Sequence, residues 1–508
     1  MRYLLGREAT QKMEAYSIQR IGIPSLALME RAALAVCRVV CERTDAYSRV
    51  LICCGMGNNG ADGLATARML FQRKTAVEVL LVGDPETCTE EFRTQYTIVK
   101  RLGIRVGTFS DYEEYIKKET YDILVDAMFG IGLTRPLAGL YRDLIDRINQ
   151  SDAFVVSVDM PSGISADTGA ILGGAVRADL TVTFGCEKLG LALYPGHDYA
   201  GEIRIEDIGL IRREPEGLWA YTYGPEDLAL LPVRPKRSHK GTFGRLLIAA
   251  GSVNMCGAAY LAAKAAYRSG VGLVRILTPE ANRAVLQERL PEAVLSSYEP
   301  GEFSAAGLQE LCDWADAMVI GPGLGKGSHV RVLVNYLLQY GRVPVVLDAD
   351  ALNLIARYPD MTALLSERVI VTPHLGEMAG LTGRSIVDIQ GTLPESAITY
   401  SQTTKAVCVL KDARTVVSDG REEFYLNTSG NDGMATAGSG DVLAGILGAL
   451  LAARMPPYEA AVLGVYLHGL AGDAAAEEVG TYALMAEDIL QGLVRATKER
   501  RVTGNVSI

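Results

Sequence analysis

VLICCGMGNNGADG, residues 50–63, is a short apolar strand that runs into a turn of glycines and asparagines and then into a helix. A strand handed over to a helix through small residues is half of a βαβ unit. Further along the chain, AVEVLLVG (76–83), ILVDAMFG (123–130), FVVSVDMPSG (154–163) and LTVTFG (180–185) are β-branched apolar runs. Stretches of helical character, such as GLATARMLFQR (63–73), lie between them. Strands alternating with helices predict a parallel sheet covered on both faces. Upstream, residues 9–43 predict two amphipathic helices split near Gly22-Ile23-Pro24.

A second α/β series starts again at RLLIAAG (245–251), with a helix over 257–270 and the run LVRILTP (273–279). DAMVIGPGLG (316–325), VPVVLDADAL (343–352), RVIVTPHLGE (368–377) and AVCVLKDARTVV (406–417) read as strands with loops. NTSGNDGMATAGSGDVLAGILGALLA (427–452) closes the series, and its apolar run from Val442 to Ala453 predicts a buried helix too short to span a bilayer. Between the two series, RREPEG (212–217) and LLPVRPKRSHK (230–240) carry proline and mixed charge, as a linker does. Two domains are therefore expected, over residues 1–215 and 225–505, with a boundary near residue 215.

The chain has 508 residues, too many for one ordinary core, and its 53 glycines suit a fold rich in strand-to-helix turns. A net charge of -10 disfavours nucleic acid, which is bound through clustered Lys and Arg. The nine cysteines are scattered without a CxxC pair, so neither disulfides nor zinc are expected. With no membrane segment and an opening (MRYLLGREATQKMEAYS) too charged for a signal peptide, a cytoplasmic location is expected.

In the first series the turn GMGNNGADG presents backbone amides at a helix N-terminus, where an anion is stabilised. Asn58, Asn59 and Asp62 beside bare glycine backbone suit sugar hydroxyls or a cation, although such a turn alone is equally well just a turn. Asp126 ends ILVDAMFG, and Asp159 and Ser162 follow in VDMPSG, all expected on the same sheet edge. Either Asp alone is equally a helix cap; three strand ends together favour a site.

These residues resemble the NAD(P)H-hydrate epimerases, the YjeF N-terminal family, over about residues 1–215, through NNGADG, VDAMFGIGLTRP and VDMPSG. The resemblance implies a Rossmann-like three-layer sheet with Asp126 as acid/base. It implies that Asn59, Asp126 and Ser162 bind a potassium ion. It further implies that Asn58, Asn59, Gly60, Ala61, Asp62, Gly130, Ile131, Gly132, Leu133, Thr134, Arg135, Pro136 and Asp159 hold the hydrated nucleotide. Ala61 stands where the family commonly has Gly, a swap that is costly only if φ there is positive. Inverting C6 of the hydrated ring requires reversible proton transfer and opening of a C–O or a C–N bond, which a carboxylate in a partly dehydrated pocket can serve.

In the second series AGSGDVLAG (437–445) exposes the amides of Gly438, Ser439 and Gly440 ahead of an apolar helix, an arrangement that stabilises charge on a transferred phosphoryl group. Asp441 in the first turn is placed to take a proton from a hydroxyl, or else caps the helix. This element resembles the ribokinase-like superfamily. With SHKGTFGRLLIAAGS, GPGLG and TPHLGEMAGL it resembles the ADP-dependent NAD(P)H-hydrate dehydratases over about residues 225–500. The resemblance implies a ribokinase-like three-layer sheet and Asp441 as base on the C6 hydroxyl. Lys411, Asp412, Ala413, Arg414 and Thr415, with Gly438, Ser439 and Gly440, then bind the adenylate of ADP. Ala258, Gly323 and His374 contact the hydrated nucleotide, and Lys240 either reaches phosphate oxygens or is equally a surface residue. Asp412 stands where the family has Gly, and AGSGD where it has GGTGD.

The two resemblances together imply one repair enzyme: R and S hydrates (NADHX, NADPHX) interconverted by one domain and the S form dehydrated by the other, giving AMP and phosphate. Mg²⁺ is expected at the second site, K⁺ at the first, and a homo-oligomer overall. Two alternatives are a ribokinase-like kinase of a vitamin precursor, which leaves the first half idle, and a YjeF-type binding scaffold. The scaffold should have lost Asp126, Asn59 and Ser162, which are present.

Overall fold

The computed structural model describes residues 1–45, 47–111, 115, 120–211 and 216–503. The chain forms two compact units, Tyr3–Ala220 and Met1–Arg2 with Tyr221–Ile508. The expected boundary near residue 215 and the expected end at 505 lie outside the described residues.

In the first unit seven strands form one sheet: β1 (Arg49–Gly55), β2 (Ala76–Val82), β3 (Arg105–Gly107), β4 (Ile123–Ala127), β5 (Phe154–Val158), β6 (Leu180–Phe184) and β7 (Glu202–Glu206). Their order is β3-β2-β1-β4-β5-β6-β7, with every neighbouring pair parallel. Only Arg49 of β1 escapes full burial, as expected of a strand covered on both faces. The chain builds β2 and β3 on one side of β1 and β4 on the other. The β1/β4 crevice is therefore the switch point at which open parallel sheets bind ligands.

The predicted pair of N-terminal helices is α1 (Arg7–Ala15), continued by a π-turn to Arg20, and α2 (Ser25–Cys41), parted at Gly22 with φ +90°. Helix α3 (Asn58–Gln72) follows β1 directly, and α4 (Glu90–Arg101) and α5 (Leu140–Asn149) complete this unit's longer helices.

The second unit carries β8 (Arg245–Ala249), β9 (Leu273–Pro279), β10 (Val294–Tyr298), β11 (Ala317–Ile320), β12 (Val345–Leu347), β13 (Val369–Val371), β14 (Val407–Leu410), β15 (Val416–Ser418) and β16 (Glu423–Leu426). They run in the order β10-β9-β8-β11-β12-β13-β14-β15-β16, parallel as far as β14. The last two are antiparallel. KDART (411–415), expected as a loop after a strand, is the turn of a hairpin.

Helices α6 (Cys256–Arg268), α7 (Ser328–Tyr340), α8 (Asp350–Arg357), α9 (Leu375–Thr382), α10 (Ser439–Ala452), α11 (Pro457–Val479) and α12 (Ala486–Thr503) cover the sheet together with further helices, among them Ala305–Trp314 and Leu393–Thr404. Every residue of α10 from Val442 to Ala452 is buried, the outcome expected of a helix apolar all round. At about 1.5–3 kcal/mol for each large side chain removed from water, Leu443, Ile446, Leu447, Leu450 and Leu451 anchor this helix strongly. No helix among the described residues is long and apolar enough to cross a membrane.

Candidate active sites

Each unit gathers polar side chains at the C-terminal edge of its sheet. In the first, a cleft of about 700 Å³ opens at the switch point, lined in part by Gly57, Asn58, Asn59, Asp62, the 130–135 loop and Asp159. Helix α3 starts at Asn58 behind Gly57 with no side chain capping it, so its leading amides remain available to a ligand. Phe129 and Tyr141 meet edge to face, centroids 5.4 Å apart, and both line the cleft.

Gly60, Ala61 and Pro136 do not line it. Gly60 lets α3 lie on β1: a Cβ there would stand 1.7 Å from the Gly55 carbonyl oxygen. Gly60→Ala is accordingly expected to destabilise this unit by about 3 kcal/mol or more, read by urea unfolding. Ala61 is helical and fully buried, so the cost expected from a positive φ does not arise.

Asp126 ends β4, opposite Cys53 on one neighbour and Ser157 on the other. It is 1% exposed and, like the fully buried Ser162, does not itself line the cleft; Met128 N, of a residue that does, donates to its Oδ1 at 3.3 Å. Ser162 Oγ donates to its Oδ1 at 2.5 Å, and Ser162 N (2.8 Å) and Ser157 Oγ (2.9 Å) donate to Oδ2. Burial raises its pKa above the usual carboxylate range, and these hydrogen bonds oppose the rise. Ser162 Oγ also accepts from Phe129 N at 2.9 Å.

Asn59 carries a buried amide nitrogen without a partner. A Cβ built on Gly130 would be 3.4 Å from both Asn59 Oδ1 and Asp159 Oδ2, which places all three together.

Two residues missed in the sequence belong to this site, Glu14 in the cleft lining and Lys188 outside it, on Asp159. Lys188, 1% exposed, donates to Asp159 Oδ1, Thr183 Oγ1 and the Phe184 carbonyl. Asp159 holds the left-handed backbone (φ +65°) that costs a non-glycine residue about 1–3 kcal/mol, a sign of imposed geometry. Glu14 reaches the cleft from α1, and burial together with Asp159 pushes its pKa up to about 7, against Lys188. Asp62 is raised well above the carboxylate range by burial, Asp159 and Glu14.

Lys188→Met would strand Asp159 beside two further carboxyl groups. Breaking a buried pair from one side costs about 3 kcal/mol. The expected result is a lower urea midpoint with a raised KM for hydrated nucleotide.

In the second unit, Gly438 precedes α10 in the left-handed region (φ +91°) against Leu261 of α6. Asp441 sits in the first turn. Burial pushes its pKa up to about 7; Asp348 and Asp350 add to the rise and Lys411 opposes it. Ser439 Oγ lies 3.3 Å from Nε2 of His468, whose pKa burial lowers to about 4, so that it is neutral at pH 7.

Asp473 of α11 fixes the preceding loop through Gly430 N (2.9 Å) and Asn431 Nδ2 (3.0 Å). Lys411 Nζ donates to Asp348 Oδ1 at 2.9 Å. His374 caps α9, its Nδ1 accepting from Gly376 N and Glu377 N at 3.0 and 3.2 Å. Its backbone bridges to Lys411, which brings these two predicted residues together.

Gly323 (φ +60°) packs on Ala258: a Cβ there would lie 2.9 Å from the alanine methyl. Asp412, Ala413, Arg414 and Thr415 form the hairpin turn itself, and Arg414 Nη1 donates to the Thr428 carbonyl at 3.2 Å. Lys240 is the exception. Its carbonyl packs on Gly272 at the start of β9, the opposite edge of the sheet from Asp441, so it does not reach phosphate there.

Among the described residues no trio of His, Cys, Asp or Glu could hold a metal ion. The first site instead offers the oxygens of Asp126 and Ser162, which hydrogen-bond each other, and Asn59 Oδ1 beside Gly130 and Asp159, donors of the type a hard monovalent cation takes.

A family model described as YjeF-related protein N-terminus matches residues 25–190, and one described as NAD(P)H-hydrate dehydratase matches residues 246–495. The bifunctional NAD(P)H-hydrate repair enzyme Nnr of Thermofilum pendens is 38% identical over 510 residues, covering 98% of this chain and 95% of its own. The enzyme of that name from Escherichia coli K12 is 34% identical over 478 residues, covering 94% and 90%. A ribokinase-like superfamily protein of Enterococcus faecalis, 30% identical, superposes with a TM-score of 0.50 over 55% of this chain and 96% of its own. Both halves match in order along nearly the whole length, and so the chain belongs to the family of bifunctional NAD(P)H-hydrate repair enzymes.

Proposed function

We propose that the first unit epimerises hydrated NADH and NADPH at C6 and that the second dehydrates the S form at the expense of ADP. The observation that carries the reading is Asp441. A carboxyl group whose pKa lies at about 7 in the first turn of α10, beside the Lys411 ammonium, is poised to accept a hydroxyl proton at neutral pH.

Asp441 takes the proton of the C6 hydroxyl as its oxygen bonds to the β-phosphorus of ADP and AMP leaves. Hydroxide, a poor leaving group, has become phosphate, a good one. The C6–O bond then breaks, a proton leaves C5, and the ring double bond is restored. The α10 N-terminus and Lys411 stabilise the phosphoryl charge. Mg²⁺ would enter with the nucleotide and would neutralise phosphate charge. Gly323, Ala258 and His374 hold the hydrated nucleotide.

In the first unit Asp126 moves the proton, while Asn58, Asp62, Asp159 and the 130–135 loop hold the substrate. Asn59, Asp126 and Ser162 would hold K⁺, which would supply fixed positive charge to the site. All nine cysteines are free thiols, which suits a reducing cytoplasm. A homo-oligomer is part of the same reading and is checked by light scattering.

The test is recovery of NADH absorbance from mixed R and S hydrates with ADP and Mg²⁺, faster than spontaneous epimerisation. Complete recovery is expected. None would return the second unit to the general kinase class.

A further inference from the structure

Three adjacent strands of the second unit each deliver one side chain to a single point. Asp348 follows β12, Thr372 follows β13 and Lys411 follows β14. Thr372 Oγ1 and Lys411 Nζ both donate to Asp348 Oδ1, at 2.6 and 2.9 Å, and Asp348 is 2% exposed. A Cβ built on Gly440 would lie 3.5 Å from Lys411 Nζ and 3.8 Å from Asp348 Oδ2, so the ion pair abuts the first turn of α10. A buried pair of this kind is a poor device for stability, because apolar residues of similar volume avoid its desolvation cost. Its placement is better explained by the chemistry next to it.

We propose that Asp348 is a positioning residue for dehydration, holding the Lys411 ammonium against the first turn of α10 beside Asp441, where the phosphoryl group is transferred. The inference rests on the reading of Asp441 as base. Lys411 stays charged: burial works against the ammonium, but Asp348, Glu377 and Asp441 outweigh it and raise its pKa.

The groups facing this cluster are Asp350 from α8, Glu377 of α9 with His374 at its cap, and His468 from α11. Asp348 and Lys411 act on Asp441 with opposite signs. Removing the Asp348 charge lowers the pKa of Asp441, and activity then persists to lower pH. Removing the Lys411 charge raises that pKa, and activity is lost at higher pH. A role confined to folding would move neither limb.

The test compares kcat and KM for ADP on the S hydrate in wild type, Asp348→Asn and Lys411→Met, from about pH 5.5 to 8.5. Asp348→Asn keeps an acceptor oxygen for Thr372 and Lys411. It is expected to lower kcat about tenfold, leave KM for ADP within about twofold, and move the acidic limb down by roughly one pH unit. Lys411→Met is expected to lower kcat about 10²-fold and move the limb upward. Limbs that stay in place or move in the same direction would overturn the proposal. So would an Asp348→Asn effect confined to KM. Should Asp348→Asn not fold, the direction of the Lys411→Met limb decides alone. A wild type without ADP-dependent turnover overturns the dehydratase reading itself, a result visible before any variant is compared.

Discussion

Asp441→Asn is expected to abolish ADP-dependent recovery of NADH from the S hydrate, with kcat falling by about 10²–10⁴-fold, the range of a positioned general base. The asparagine is nearly isosteric and removes a carboxylate that burial, Asp348 and Asp350 already disfavour. Fold and ADP binding should therefore survive, and calorimetric titration with ADP supplies the control. The wild type carries a second signature. A base must be ionised to act, and this carboxyl group has a pKa of about 7. The kcat should thus rise with pH through neutrality and fall about tenfold for each unit below the limb. In Asp441→Asn that limb should vanish from whatever rate remains. A variant that keeps a tenth or more of wild-type kcat, with the limb intact, would assign the proton to another group.

Much of this architecture was legible because it is written locally. VLICCG and FVVSV are continuous apolar runs, which only strands buried on both faces require. The 442–453 run could only be a buried helix, and the glycine-rich turns marked the strand ends where Asn58, Asp126, Gly323 and Asp441 now stand. The residues that went unseen are those whose meaning is long-range. Lys188 looks like a surface lysine until the sheet brings it onto Asp159, and Glu14 becomes part of the cleft only when α1 packs across it. Asp348 sat in view inside VLDADAL, yet nothing local says that Thr372 and Lys411 converge on one of its oxygens. The hairpin after Leu410 was hidden because β14 and β15 are both short apolar runs, and direction is not encoded in composition. Of the two readings of Lys240, the surface one was already favoured by the order of elements: it precedes β8, and residues before a parallel strand lie at the edge away from the ligand.

Asp126→Asn should leave the dehydratase untouched and stop NADH recovery at the S fraction of a mixed hydrate, with the epimerase rate reduced by about 10²–10⁴-fold. The substitution is less innocent here than at Asp441. Both Asp126 oxygens accept, Oδ1 from Ser162 Oγ and, at 3.3 Å, from Met128 N, and Oδ2 from Ser157 Oγ and Ser162 N. A hydroxyl can rotate to meet an amide nitrogen, but the Ser162 backbone N–H cannot. Whichever way the new amide turns, it either sets one donor against another or gives up the acceptor that Ser162 N needs, at about 1–3 kcal/mol for a buried unsatisfied donor. That is a fraction of the 5–15 kcal/mol by which domains of this size are ordinarily stable, so the first unit should unfold at lower urea yet remain folded in buffer. Ser157→Ala separates the two effects. It removes a hydrogen bond to Oδ2 while keeping the carboxyl group, and should cost comparable stability while leaving most of the epimerase rate. If Asp126→Asn instead recovers the whole mixture at the wild-type rate, the proton is carried elsewhere in the cleft. Glu14, with its pKa of about 7, is then the group to replace next.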